Sequence, residues 1–204
     1  MRRFHASRFL PIVIALLALA ACSASAPPVR LHSLMPAELA LREAVRPAIA
    51  IALEPIRVPA QVDQPQWLVR LPDDSLAALE QERWASPLSD ELRQAMLEEL
   101  GARYGAIEGR SAAGVSVLRV GVEVRRFDSF PGREARIEAI WTVSVGAAAP
   151  VLQCAALMRE PATAGLPALA AAHRRTVVRL ADAIGASLVA VRGPAPACPV
   201  PDAR

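Results

Sequence analysis

Leu118-Arg119-Val120-Gly121-Val122-Glu123-Val124-Arg125 is followed by Ser129-Phe130-Pro131-Gly132-Arg133 and then by Ala135-Arg136-Ile137-Glu138-Ala139-Ile140-Trp141-Thr142-Val143-Ser144-Val145. The period of this stretch is two. Leu118, Val120, Val122 and Val124 share one face, with Arg119, Glu123 and Arg125 on the other. The Ser-Phe-Pro-Gly-Arg segment reads as a turn, after which Ala135, Ile137, Ala139, Trp141, Val143 and Val145 point inward and Arg136, Glu138, Thr142 and Ser144 outward. Gly146 to Pro150 turns again and Val151 to Met158 makes a third strand. Three strands on short connections predict an antiparallel meander with one covered face.

The cover follows in the sequence. Leu166, Leu169, His173, Val177, Leu180, Ile184, Leu188 and Val191 recur at steps of three and four, which predicts one long helix with Arg174, Arg175, Arg179 and Asp182 off its apolar stripe. Upstream, Leu88, Leu92, Met96, Leu100 and Tyr104 form a second stripe. Ser86 is the expected N-cap, Pro87 suits the first helical position, Asp90 and Glu91 suit the positive end of the dipole, and Gly101 and Gly105 end the helix. Ala48 to Val58 and Gln66 to Leu71 read as strands around a loop, Pro59-Ala60-Gln61-Val62-Asp63-Gln64-Pro65. The fold expected is α/β: a layered mixed sheet with a C-terminal antiparallel meander covered by two long helices. It occupies residues 29–192, and the tail from Gly193 to Arg204, with four prolines, is not helical.

The amino terminus carries Arg2, Arg3 and Arg8 ahead of an uncharged apolar run from Phe9 to Ala21, which reads as a signal peptide over residues 1–21. It ends Leu19-Ala20-Ala21-Cys22, a pattern resembling the bacterial lipobox, so Cys22 is the expected site of lipid attachment and the first residue of the mature chain. Residues 22–28 form a lipidated tether whose six residues from Ser23 to Pro28 reach about 20 Å. Ser23 follows the cysteine in place of Asp, which by the enterobacterial sorting pattern points to the outer membrane. Acyl chains, palmitate among them, would hold the protein on the periplasmic face of that membrane without a spanning segment.

Of the 204 residues, 23 are basic, all arginine, and 20 are acidic. The formal charge of +3 comes from the three arginines of the signal segment, so the mature chain is neutral and nucleic acid is not an expected partner. With no lysine, Schiff-base chemistry is excluded. Cys154 and Cys198 are left as an even pair: either they join the tail to the third strand as a disulfide, or Cys154 is buried and Cys198 free. These cysteines with His32 and His173 do not make a zinc set, so no metal or cofactor is expected. His173 lies on an apolar stripe and reads as a core histidine. No nucleophile elbow, phosphate-binding loop or metalloprotease motif occurs, so no catalytic residue is assigned.

Three segments carry a family resemblance. Glu54 to Arg70 is similar to a strand, a Val-Pro-x-Tyr-Leu-Asp-Arg-Pro-Gln loop and a strand, with Gln61 and Gln64 in place of Tyr and Arg. Arg83-Trp84-Ala85-Ser86-Pro87-Leu88 matches an Arg-Trp-Ala-x-Pro-Leu signature before the first long helix, and Arg126-Phe127-Asp128 with the later Trp141 matches a strand end and the strand after it. The chain thus resembles the ABC-type transport auxiliary lipoproteins, the PqiC-like intermembrane transport lipoproteins. It departs from them at Leu31-His32-Ser33-Leu34, where a Tyr-x-Leu pattern is frequent.

The resemblance implies a non-catalytic periplasmic lipoprotein working with an ABC ATPase, a permease and an MCE-domain protein that move phospholipid between membranes, and docking them to the outer membrane. The competing expectation is an assembly lipoprotein supporting insertion of an outer-membrane protein. A homo-oligomer is compatible with either. Trp84 and Trp141 are expected in the core, whereas Phe130, beside Pro131 at a turn tip, and Trp67 are candidates for partner or lipid contact.

Overall fold

The computed structural model describes residues 27–35, 49–109 and 117–199. Signal segment, Cys22 and most of the tether lie outside these. Among the described residues, eight strands and two helices run β1 (Arg30–His32), β2 (Ile49–Leu53), β3 (Gln66–Arg70), β4 (Leu76–Trp84), α1 (Leu88–Tyr104), β5 (Ala106–Glu108), β6 (Leu118–Phe130), β7 (Glu134–Val145), β8 (Leu152–Pro161) and α2 (Leu166–Ala190). They form two mixed sheets, one of five strands in the order β5-β2-β6-β7-β8 and one of three in the order β1-β4-β3.

The meander is β6-β7-β8, antiparallel throughout, while β2 joins β5 and β6 in parallel. Val120, Val122, Ile137, Ala139, Trp141, Val143, Cys154 and Met158 are buried beneath the helices, and the stripe Leu169, Val177, Leu180, Ile184 and Leu188 of α2 closes over them. Trp141 donates its indole N–H to Ser187 Oγ at 3.0 Å, so the largest inward side chain is tied to its cover by a satisfied polar contact. Val145, at the end of β7, is 38% exposed and does not join the inward row.

One irregularity in β6 matters downstream. The register slips between Val124 and Arg126, so the inward phase passes from even to odd residues and Phe127 and Ser129 face the core. Without that extra residue their side chains would point to the outer face.

Local signals fared unevenly. Gly105 caps α1 in the left-handed conformation, but Gly101 lies within the helix. Ser86 is not the N-cap. Pro87 occupies that position with no side-chain cap, and the Ser86 hydroxyl instead donates to Glu91 Oε1 at 2.9 Å, because the Glu91 carboxylate is turned inward to serve several donors at once. The expected strand from Ala48 ends at Leu53, since Pro55 cannot continue it; a single bridge of Arg57 with Glu123 resumes the pairing.

The three-stranded sheet was not foreseen. Leu76-Ala-Ala-Leu-Glu-Gln-Glu-Arg-Trp84 has no alternating pattern and is rich in helix formers, and it becomes β4 because the turn at residues 71–75 folds it against β3.

The two helices approach each other at Gly185. A Cβ built there would lie 2.2 Å from the ring of Tyr104, whose hydroxyl donates to the Asp182 carbonyl at 3.0 Å. Gly185→Ala should therefore displace Tyr104 and cost about 1–3 kcal/mol. Urea denaturation should show this loss, and it should shrink in a Tyr104→Ala background.

Candidate functional site

Two segments that are separate in sequence meet at the open end of the small sheet. The loop at residues 63–65 and the β4–α1 junction at residues 83–87 line a cleft of about 400 Å³. The loop is folded by turns in which Val62 N–H donates to the Pro59 carbonyl and Asp63 N–H to that of Ala60, with Val62 buried as its plug. Both segments belong to the motifs that carry the family resemblance. Chain tracing alone does not reveal that they face each other.

Beneath the cleft lies a cluster of rings. Trp84 is 4.7 Å from Trp67 and edge-on to Phe127 at 5.7 Å, and Phe127 stacks on His173 at 4.1 Å with an 8° interplanar angle. Trp67 donates its N–H to Ser129 Oγ at 2.8 Å, and Ser129 Oγ lies 2.7 Å from His173 Nε2. This run joins the small sheet, the bulged end of β6 and α2.

A Ser–His pair at this distance invites a catalytic reading, which the geometry refuses. His173 and Ser129 are 0% and 1% exposed, no acid meets His173 Nδ1, and that atom has no hydrogen-bond partner among the described residues. A base needs access to its substrate and a group to orient it. Burial lowers the His173 pKa from 6.5 to about 3, so the ring is neutral at physiological pH and serves as packing and as a hydrogen-bond partner. No group of three metal-binding side chains occurs among the described residues.

Two candidate contact residues need correction. Trp67 is 1% exposed, held inside by the ring cluster and by Ser129. Phe130 is 6% exposed because the guanidinium groups of Arg133 and Arg136 lie over its ring, at 4.1 and 4.9 Å. Neither offers a surface to a partner or lipid in this fold. Trp84 and Trp141 are core residues, as their positions suggested.

The residue that sequence reading undervalued is Glu91. Its carboxylate is buried and accepts from Ser33 Oγ, Leu34 N–H and Ser86 Oγ at 2.8, 2.8 and 2.9 Å, while Arg174 donates to the Ser33 carbonyl at 3.1 Å. The segment carrying β1 is thereby fastened to both helices. Glu82 adds an ion pair to Arg30 and a hydrogen bond with His32 Nε2, each at 2.6 Å. An Asp-Glu pair in a first helical turn reads as dipole complementation; only the fold shows that Glu91 points inward.

Cys154 and Cys198 are joined, with sulfurs 2.03 Å apart, and pin the tail to β8 across a separation of 44 residues. Closing a loop of that length contributes about 4 kcal/mol in a chain-entropy picture.

The cleft and the ring cluster both fall within a stretch that known proteins share. A family model described as the ABC-type transport auxiliary lipoprotein component matches residues 32–185, which includes both walls of the cleft.

The chain belongs to this family.

The family comprises lipoproteins that assist an ABC-type transport system. Among the described residues no helix is long and apolar enough to cross a membrane. Two solved structures share the fold. One, described as an uncharacterized protein, aligns with a TM-score of 0.62 at 14% identity, covering 78% of this chain and 98% of its own. The other, protein XCC0632 from Xanthomonas campestris, aligns with a TM-score of 0.59 at 18% identity, covering 80% and 93%. No curated protein sequence matches the chain.

Two measurements follow from the site. Unfolded His173 takes up a proton below about pH 6.5 and the folded protein resists it down to about pH 3, so the unfolded state binds more protons in that window. The contribution is complete above pH 6.5 and is lost as pH falls, at up to about 1.4 kcal/mol per pH unit. Urea midpoints measured at pH 6.5 and 4.5 should fall further for the wild type than for His173→Phe, by the equivalent of about 2–3 kcal/mol. Thiol labelling of the unfolded, unreduced protein should find Cys154 and Cys198 blocked, and reduction should expose both.

Proposed function

We propose that this protein is a non-catalytic, lipid-anchored periplasmic component of an MCE-type phospholipid transport system, attached through acylated Cys22 to the outer membrane and docking the transporter there. The observation that carries the reading is the family match over residues 32–185, which makes the chain an auxiliary of an ABC-type transporter. The Leu19-Ala20-Ala21-Cys22 sequence supports the anchor, and the short tether to Pro28 keeps the domain within about 20 Å of the lipid surface. Its partners are then an MCE-domain protein together with the ABC permease and ATPase. A structural role suits the folded domain, because the Ser129–His173 pair is sealed.

Cys22→Ser should leave an unprocessed precursor that no longer fractionates with the outer membrane. Full-length protein should co-purify with an MCE-domain protein, and deletion should impair the membrane barrier. Loss of one particular outer-membrane protein with normal lipid transport would instead select the assembly role.

A further inference from the structure

Two oppositely charged side chains, Arg83 and Asp63, line the cleft. Neither is in an ion pair or a side-chain hydrogen bond among the described residues, where Arg83 Nε is buried without a partner, as are Arg136 Nε and His173 Nδ1 outside the cleft. The buried Nε is out of a ligand's reach, and what Arg83 offers the cleft is the terminal nitrogens of its guanidinium, which are neither fully buried nor paired. The outer face of the large sheet provides a contrast. Its smaller pocket also holds arginines and glutamates, but there Arg57 and Arg125 both pair with Glu123, and Glu54 pairs with Arg119 outside the pocket lining. Charges in that pocket are paired, while those in the cleft are not.

We propose that the cleft binds the phosphate-bearing zwitterionic head of a phospholipid, with phosphate oxygens accepting from Arg83 and an ammonium group donating to Asp63. This identification of the ligand rests on the transport reading above. The guanidinium fork matches a phosphate geometrically. The uncapped N-terminus of α1, which starts one residue beyond Pro87, adds a positive dipole end on the same side. Asp90 and Glu91 share that first turn, but the Glu91 carboxylate is occupied by Ser33, Leu34 and Ser86. Pro65, Pro87 and Trp84 give the cleft apolar walls for the glycerol end of the head. A volume of about 400 Å³ lies in the range of small-molecule sites.

The test uses the full-length lipidated protein in maltoside micelles free of phosphate, titrated calorimetrically with glycerophosphoethanolamine, glycerophosphoglycerol and inorganic phosphate. Glycerophosphoethanolamine should bind most tightly. Arg83→Gln should weaken it at least tenfold, and Asp63→Asn should lower it to the level of glycerophosphoglycerol while leaving that probe unchanged. Asp63 is exposed, so its variant decides the matter even if Arg83→Gln fails to fold.

The proposal is overturned if the wild type binds no glycerophosphoethanolamine at millimolar concentration, if Asp63→Asn binds it as well as the wild type, or if inorganic phosphate binds equally tightly. It is also overturned if Arg83→Gln abolishes only co-purification with an MCE protein, which would make the cleft a protein contact. Absent head-group binding with transporter co-purification intact removes this assignment and leaves the transport role standing. Head-group binding without any transporter partner would do the reverse.

Discussion

The hydrogen-bonded run from Trp67 through Ser129 to His173 is the constraint on which the rest of the molecule depends. Each of its three residues comes from a different layer: β3 of the small sheet, the end of β6, and α2. Three polar groups buried this deeply destabilise a fold when they are not matched, so the run permits one relative placement of the layers and penalises others. The bulge after Val124 is part of the same constraint, because it is what turns Phe127 and Ser129 toward α2. The stacking of Phe127 on His173 then fills the space that Trp67 and Trp84 bound on the other side.

The cleft follows from that placement. Trp84 serves the ring cluster with its body while Arg83 and residues 85–87 lead away to α1, and the loop at residues 63–65 is brought opposite by the pairing of β3 with β4. Glu91 and Arg174 meanwhile hold the β1 segment in place, so the small sheet is secured from both flanks. A rigid frame around an accessible cleft with unmatched charges is an arrangement suited to recognition, whereas the sealed Ser129–His173 pair is suited only to structure.

Much of this was legible along the chain. The alternation in β6 and β7 and the steps of three and four in both helices identify their apolar faces almost residue by residue, since burial of one face imposes a period that composition cannot disguise. Legibility failed where a residue's environment comes from distant segments. Phe130 sits at a turn and was expected to face a partner, yet two arginines cover its ring. Trp67 was a candidate contact residue, and its burial depends on α2, more than a hundred residues later. β4 has no period of its own and exists through its partner strand.

By itself, then, the sequence determined the layered α/β class, the meander, both helices with their buried faces, and the family to which the chain belongs, because these depend on local period and on ordered motifs. Tertiary structure decided which polar residues are sealed and which are offered. Glu91 and His173 go inside and Arg83 stays unanswered in a cleft because hydrogen-bond satisfaction is settled by neighbours brought together in space, and no local pattern encodes them.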